Sequence, residues 1–260
     1  MSNLPIQIKT DEVFETFPNA PIVEAVIDIR ARVMATFDET SLRAYLETAV
    51  TGYNFLDSQR AFQHEFKVEG GKPPVQATHD LGWKGLRFQS SNKKHIAQFN
   101  RDGFVFSRLH PYVDWTQFAS EGMRLWNVFR ELAQPVEIPR IGLRFINRIV
   151  LPIGELKFED YIQPAPAPPG GLDLPFMGYM HQDTLAVPGH PYAINVIQTI
   201  QPPPAVATQG VAMIFDIDVF TIKGFELEEA KLSRRLEEMR WLKDKVFFGN
   251  VTEKAKEMFR

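Results

Sequence analysis

The chain has 260 residues, a formal net charge of -3 and no cysteine. The missing cysteine excludes disulfides, thiolate nucleophiles and cysteine-ligated metal centres, and the acidic balance excludes a global positive field that would attract nucleic acid. With 44% hydrophobic and 23% charged residues, the composition is that of a folded globular protein. The 21 phenylalanines favour broad sheet faces covered by helices.

The first twenty residues are polar and contain Pro5 and Pro18, which predicts an N-terminal arm over residues 1–20. The opening has no basic segment followed by an apolar core, and no stretch of the chain approaches the roughly 18 apolar residues of a membrane span. These features predict a cytoplasmic protein.

Residues 21–134 predict a strand, a helix, several short strands and a second helix. The segment PIVEAVIDIRARV alternates apolar and polar residues from Pro21 onwards, as a half-buried strand does. Asp38 or Thr40 can cap a helix to about Val50, and Asp114 can cap a longer one that Pro135 limits. Between the helices we predict strands at residues 61–68, 82–89, 95–100 and 104–109, the last three forming an antiparallel meander.

Residues 135–260 repeat this order from Pro139, where PRIGLRFINRIV alternates in the same way as the segment after Pro21. A short helix near residues 158–162 and an exposed proline-rich loop at 163–175 follow. We then predict strands near 176–186, 192–201 and 211–221, a long helix over about 226–247 and a short amphipathic segment at 252–259.

The element order predicts an α+β fold of two pseudo-repeated β-α-β(3–4)-α halves that form one curved antiparallel sheet backed by long helices. This order resembles the TATA-box-binding-protein-like and helix-grip folds, but no sequence motif carries a function across. We expect the halves 21–134 and 135–260 to fold as one cooperative unit, because separate sheets would leave exposed edges.

Three segments together resemble a known family: NAPIVEAVIDIR at the first strand, RIGLRFINRI at the second-half strand, and FFGNVTEKAKEMF at the end. The chain resembles a sporadically distributed prokaryotic family of about 260-residue proteins with no established activity. The resemblance covers nearly the whole chain, and it implies no catalytic residues because its motifs are strand signatures.

The common catalytic and phosphate-binding signatures are absent from the sequence, and we predict no cofactor. His181 and Asp183 lie on one face of a predicted strand with His190 across a possible turn, but His190 falls in a proline-flanked loop that would hold a metal poorly. His110 and Asp114 could form a base with its orienting carboxylate, although Asp114 suits a helix cap better.

The most unusual feature is a row of arginines, Arg140, Arg144 and Arg148, on the second-half leading strand, with Asn147 on its apolar face. Glu24 and Asp28 on the first leading strand could neutralise this row, or the row could bind an anion. Trp83, between Gly82 and Gly85, could lie where a ligand approaches a strand. The candidate ligand-binding residues are therefore Arg144, Arg148, Asn147 and Trp83, with no catalytic residue and no metal ligand.

These observations favour a non-enzymatic binding or interaction protein that uses a concavity between sheet and helix for a small ligand or a partner segment. One alternative is an enzyme whose site is assembled from scattered His, Asp and Arg residues. A second alternative is a nucleic-acid-associated accessory or defence protein. A homo-oligomer is possible, and no membrane partner is expected.

Overall fold

The computed structural model describes residues 4–67, 70, 75–152, 157–167, 178–201 and 211–260. Within these ranges the protein is an α+β fold of ten strands and four helices. In chain order the elements are β1 (Ile22–Val33), α1 (Glu39–Ala49), β2 (Tyr53–Lys67), β3 (Val75–Ser90), β4 (His95–Asn100), β5 (Gly103–Leu109), α2 (Trp115–Ala133), β6 (Pro135–Leu151), a 3₁₀ turn (Phe158–Asp160), β7 (Met180–Ala186), β8 (Tyr192–Gln201), β9 (Val211–Thr221), β10 (Phe225–Glu226), α3 (Glu229–Asn250) and α4 (Glu253–Glu257).

All paired strands belong to one antiparallel sheet, in the order β2-β3-β4-β5-β1-β6-β9-β8-β7, with β10 also paired to β6. The two leading strands, β1 and β6, are neighbours at its centre, where Ile27 lies opposite Leu143. Period-two alternation explains both strands, because Ala25, Ile27 and Ile29 are buried while the residues between them are more exposed.

Helices α2 and α3 pack against β5, β6 and β9 and bury the apolar face of the sheet. Asp114 caps α2 by accepting a hydrogen bond from the Gln117 backbone N–H, and Asp38 caps α1 through Ser41. Phe118 of α2 stacks on Phe106 of β5 at 5.5 Å between ring centroids, so the phenylalanine-rich composition serves this sheet-to-helix core. No helix in the described ranges has the length and apolar character that crossing a bilayer requires.

Two strand predictions were too short. The strand predicted at 61–68 is β2, which begins at Tyr53, and the strand predicted at 82–89 is β3, which begins at Val75. The two strands pair along their length and form a long hairpin. The first part of β2 was not predicted because Asp57, Ser58 and Gln59 are polar and break the alternating pattern. Polar residues are common in edge strands, and β2 is at the edge of the sheet. Likewise β6 begins at Pro135 rather than Pro139, and part of the predicted loop at 163–175 lies outside the described residues.

Candidate functional site

A cavity of about 270 Å³ lies between the sheet and α3. Its inner wall contains Ile22 of β1 and Asn147 of β6, and its opposite wall is the α3 face from Arg240 to Phe248. Residues 112–116 at the start of α2, arm residues 13–17 and Ala20, and Pro21 complete the lining. The cavity is therefore built from four segments that are far apart in sequence.

The N-terminal arm closes the outer side of this cavity because its aromatic side chains pack on the end of α3. Phe14 stacks on Phe248 at 5.3 Å between ring centroids, and Phe17 contacts Phe248 at 5.8 Å and Phe259 at 5.5 Å. Phe17 is 7% exposed and belongs to the core, and Phe14 packs against it, whereas most other described arm residues are exposed. These rings give the cavity an apolar outer wall.

Asn147 supplies a hydrogen-bond acceptor to the cavity. Its side chain is 2% exposed, and its amide nitrogen donates to the backbone carbonyls of Phe215 at 2.9 Å and Phe145 at 3.4 Å. Both bonds use the nitrogen, so the amide orientation is fixed by the backbone around it. Within the described ranges no group donates a hydrogen bond to Asn147 Oδ1.

Lys243 and Asp244 place a buried ion pair on the α3 wall. The Lys243 ammonium contacts Asp244 Oδ1, and the two side chains are 11% and 12% exposed. Lys243 Nζ also lies 4.0 Å from the centroid of the Phe145 ring, a cation–π contact between α3 and β6. An ammonium group has three N–H donors, so this pairing does not use its full capacity.

Tyr112 stands beside the same ring, with its own ring edge-on to Phe145 at 5.5 Å between centroids. Burial raises the pKa of the Tyr112 hydroxyl well above its ordinary value, and the negative charges of Asp244 and Asp114 raise it further. The hydroxyl therefore keeps its proton in the physiological range. None of the described side chains or backbone groups forms a hydrogen bond with it.

The cavity rim carries a second group of charges that are paired with one another. Arg240 Nε lies 3.6 Å from Asp244 Oδ2, and Arg240 Nη1 donates to Glu237 at 3.2 Å. Glu237 also accepts a hydrogen bond of 2.6 Å from the indole N–H of Trp115. The two cations that line the cavity, Lys243 and Arg240, are thus paired with Asp244 and Glu237. Two further lining carboxylates have other partners, since Glu15 pairs with Arg260 and Asp114 caps α2.

The predicted arginine row lies on the face of the sheet opposite the buried Leu143 and Phe145, where carboxylates of β1 and β9 contact it. Arg144 makes a two-pronged contact with Asp216, whose side chain is 8% exposed. Arg140 contacts Asp28 at 3.3 Å and Asp218 at 3.2 Å. Asp28 is therefore a partner of the row, as expected, but of Arg140 rather than Arg144.

The other two candidate residues lie elsewhere. Arg148 is exposed at the end of the row, and no side chain in the described ranges pairs with its guanidinium. Trp83 lies within β3, where its ring meets Phe37 edge-on at 6.3 Å between ring centroids. Its indole N–H is buried and has no hydrogen-bond partner among the described groups. The four candidates do not converge, and Asn147 is the one that lines the cavity.

The histidine candidates do not assemble into a metal site. His181 contacts Asp183 at 2.8 Å on exposed β7, whereas His190 contacts the backbone carbonyl of Ile6 in the arm. No group of three or more metal-ligating side chains occurs among the described residues.

Sequence reasoning missed Lys243, Asp244 and Tyr112 as candidates. A signal was present for Lys243, which falls seven residues after Leu236 and four after Met239, on the apolar stripe of α3. A charged residue on such a stripe must be buried or must face a cavity. The approach of Tyr112 and Asn147 to this helix depends on tertiary structure, which local patterns do not encode.

Comparisons with known proteins add no relative from which a role could be transferred. No family model matches the chain, and neither a curated protein nor a solved structure is similar to it. This outcome is consistent with the resemblance to a family without an established activity. The function must therefore be argued from the site itself.

Proposed function

We propose that this chain is a non-enzymatic binding protein whose cavity between the sheet and α3 holds a small molecule. The proposal rests on an aromatic-walled cavity lined by three polar residues, Asn147, Lys243 and Tyr112. Asn147 Oδ1 and the Tyr112 hydroxyl have no hydrogen-bond partner among the described residues. Ligand sites are typically mostly apolar cavities with a small number of placed polar groups.

The size of the cavity favours a small molecule over a partner segment. A volume of about 270 Å³ is close to the lower end of the roughly 300–1,000 Å³ that small-molecule sites have. The arm already occupies the position from which a peptide would enter, since Phe14 and Phe17 pack against the end of α3. A partner segment would have to displace these rings.

The nucleic-acid alternative receives no support from the arginine row. Arg140 and Arg144 are matched by Asp28, Asp216 and Asp218 on the same face, so phosphate would compete with carboxylates already in contact. The enzyme alternative would be tested by an activity panel with added divalent metals. A cytoplasmic location stays a prediction that cell fractionation can check.

Indole is a suitable probe of the proposed function because it is small and aromatic. We expect indole to raise the melting temperature of the wild-type protein in a concentration-dependent way, since a ligand that binds only the folded state stabilises it. The matched control is Ala20→Phe, which places a ring in the cavity at a lining position. If indole has no effect, or the same effect on Ala20→Phe, the cavity is not the binding site.

The two halves also support the proposal of a structural repeat in a TATA-box-binding-protein-like or helix-grip arrangement. Each half has a leading strand, β1 or β6, at the sheet centre and a long helix, α2 or α3, on the same face. We expect one cooperative unit, because separating β1 from β6 would expose two central edges. If residues 1–134 and 135–260 each melt cooperatively as stable monomers, this proposal is wrong.

A further inference from the structure

The polar groups of the cavity include one acceptor and two donors that the described protein groups leave available. Asn147 Oδ1 accepts no hydrogen bond from the residues that the structure describes, while the amide nitrogen of the same side chain donates to the carbonyls of Phe215 and Phe145. The Tyr112 hydroxyl and the remaining N–H groups of Lys243 can donate. Phe145 brings these groups together, since its ring contacts both Lys243 and Tyr112.

Each charged side chain that lines the cavity already has a partner within the described part of the chain. Lys243 and Arg240 contact Asp244, and Arg240 also contacts Glu237. Glu15 pairs with Arg260, and Asp114 accepts two hydrogen bonds from Gln117 at the start of α2. A bound anion or cation would bring an additional charge into a place where desolvation is costly and the described opposite charges are already engaged. The site therefore favours a ligand without net charge.

Resting on the proposed ligand-binding function, we infer that the cavity takes a neutral molecule with an apolar ring and an amide-type head, in which an N–H group adjoins a carbonyl. The N–H of the head donates to Asn147 Oδ1, and the carbonyl accepts from Tyr112 or Lys243. The ring lies against Phe17 and Phe247 on the apolar walls. Carboxamides, lactams and ureides share this head.

Three probes of nearly equal size separate the head groups by charge: benzamide, benzoate and benzylamine. We expect calorimetric titration at pH 7 to show benzamide binding at least tenfold more tightly than either charged probe. Benzoate binding as tightly as benzamide would overturn the inference in favour of an anion site, and equally tight benzylamine binding would overturn it in favour of a cation site.

Tyr112→Phe tests the donor assignment because it removes a hydroxyl that has no protein partner in the described part of the chain. The melting temperature of the free protein should change by less than about a degree, benzamide binding should weaken several-fold, and indole binding should stay the same. Tyr45→Phe on α1, outside the cavity, is the matched control. Unchanged benzamide affinity in Tyr112→Phe would overturn the assignment of this hydroxyl.

The indole titration separates failure of this inference from failure of the proposed function. If indole binds but benzamide has no preference over benzoate, the cavity is a ligand site and the head-group inference is wrong. If neither indole nor benzamide binds, the proposed function itself is wrong. The comparison among probes uses the wild-type protein, so it holds even if Tyr112→Phe does not fold.

Discussion

The Lys243 ammonium of α3 lies 4.0 Å from the centroid of the Phe145 ring of β6 and contacts the carboxylate of Asp244. Lys243→Met should therefore cost about 3 kcal/mol of unfolding free energy, because it leaves a carboxylate buried without its nearest cation. The double variant Lys243→Met with Asp244→Leu should recover most of this loss. Urea denaturation of both variants measures the difference, and a double variant less stable than Lys243→Met would contradict the account.

The arm should contribute both to stability and to ligand binding. Phe17→Ala removes a ring that is 7% exposed and packed on Phe248 and Phe259, so we expect a loss of about 3 kcal/mol and weaker indole binding. Val13→Ala is the matched control, because Val13 also lines the cavity but is 90% exposed. Equal melting temperatures for the two variants would show that the arm does not pack as described.

Arg144 and Arg148 should differ sharply although both lie in the predicted row. Arg144→Ala leaves Asp216, with 8% side-chain exposure, unpaired, and we expect a cost of about 2 kcal/mol after allowing for the partial exposure of the arginine. Arg148→Ala should change stability by less than about 0.5 kcal/mol, as for ordinary surface substitutions. Comparable losses in both variants, measured by denaturant titration, would refute this distinction.

The sequence supports the fold better than the site. Alternation after Pro21 and Pro139 correctly predicted the two leading strands, and it correctly placed Asn147 on the buried face. The alternating pattern could not identify the partner of Arg144, because β6 has a neighbouring strand on each side and the pattern does not show which neighbour supplies the partner. Asp216 and Asp218 lie on β9, on the side of β6 away from β1.

Asp218 and Glu121 should give opposite pH dependences of stability. Burial raises the pKa of Asp218 above its ordinary value of 3.8, against the opposing effect of Arg140 and Arg144. The favourable contribution of Asp218 to the free energy of unfolding is fully present below the pKa that this residue has in the unfolded chain. It is lost as pH rises through the pKa that Asp218 has in the folded protein. We therefore expect Asp218→Asn to cost less stability at pH 7 than at pH 4.

Glu121 of α2 has a pKa shifted in the opposite direction, so its effect on stability should change with pH in the opposite sense. Burial acts to raise its pKa, but hydrogen bonds from Arg124 and Tyr53 outweigh this and hold the pKa below the ordinary value of 4.5. Its stabilising contribution is present above the unfolded pKa and is lost as pH falls through the folded pKa. Glu121→Gln should therefore cost more at pH 7 than at pH 4, and chemical denaturation at both values would expose a wrong sign for either residue.

The proposed small-molecule site is the cavity between the sheet and α3. The most direct measurement is a crystal structure of the wild-type protein grown with indole, compared with that of Ala20→Phe grown in the same way. The account predicts a ring-shaped feature of electron density in the wild-type cavity, between Asn147 and Phe17, and none in the variant. An empty wild-type cavity, or indole found only on the surface, would contradict it.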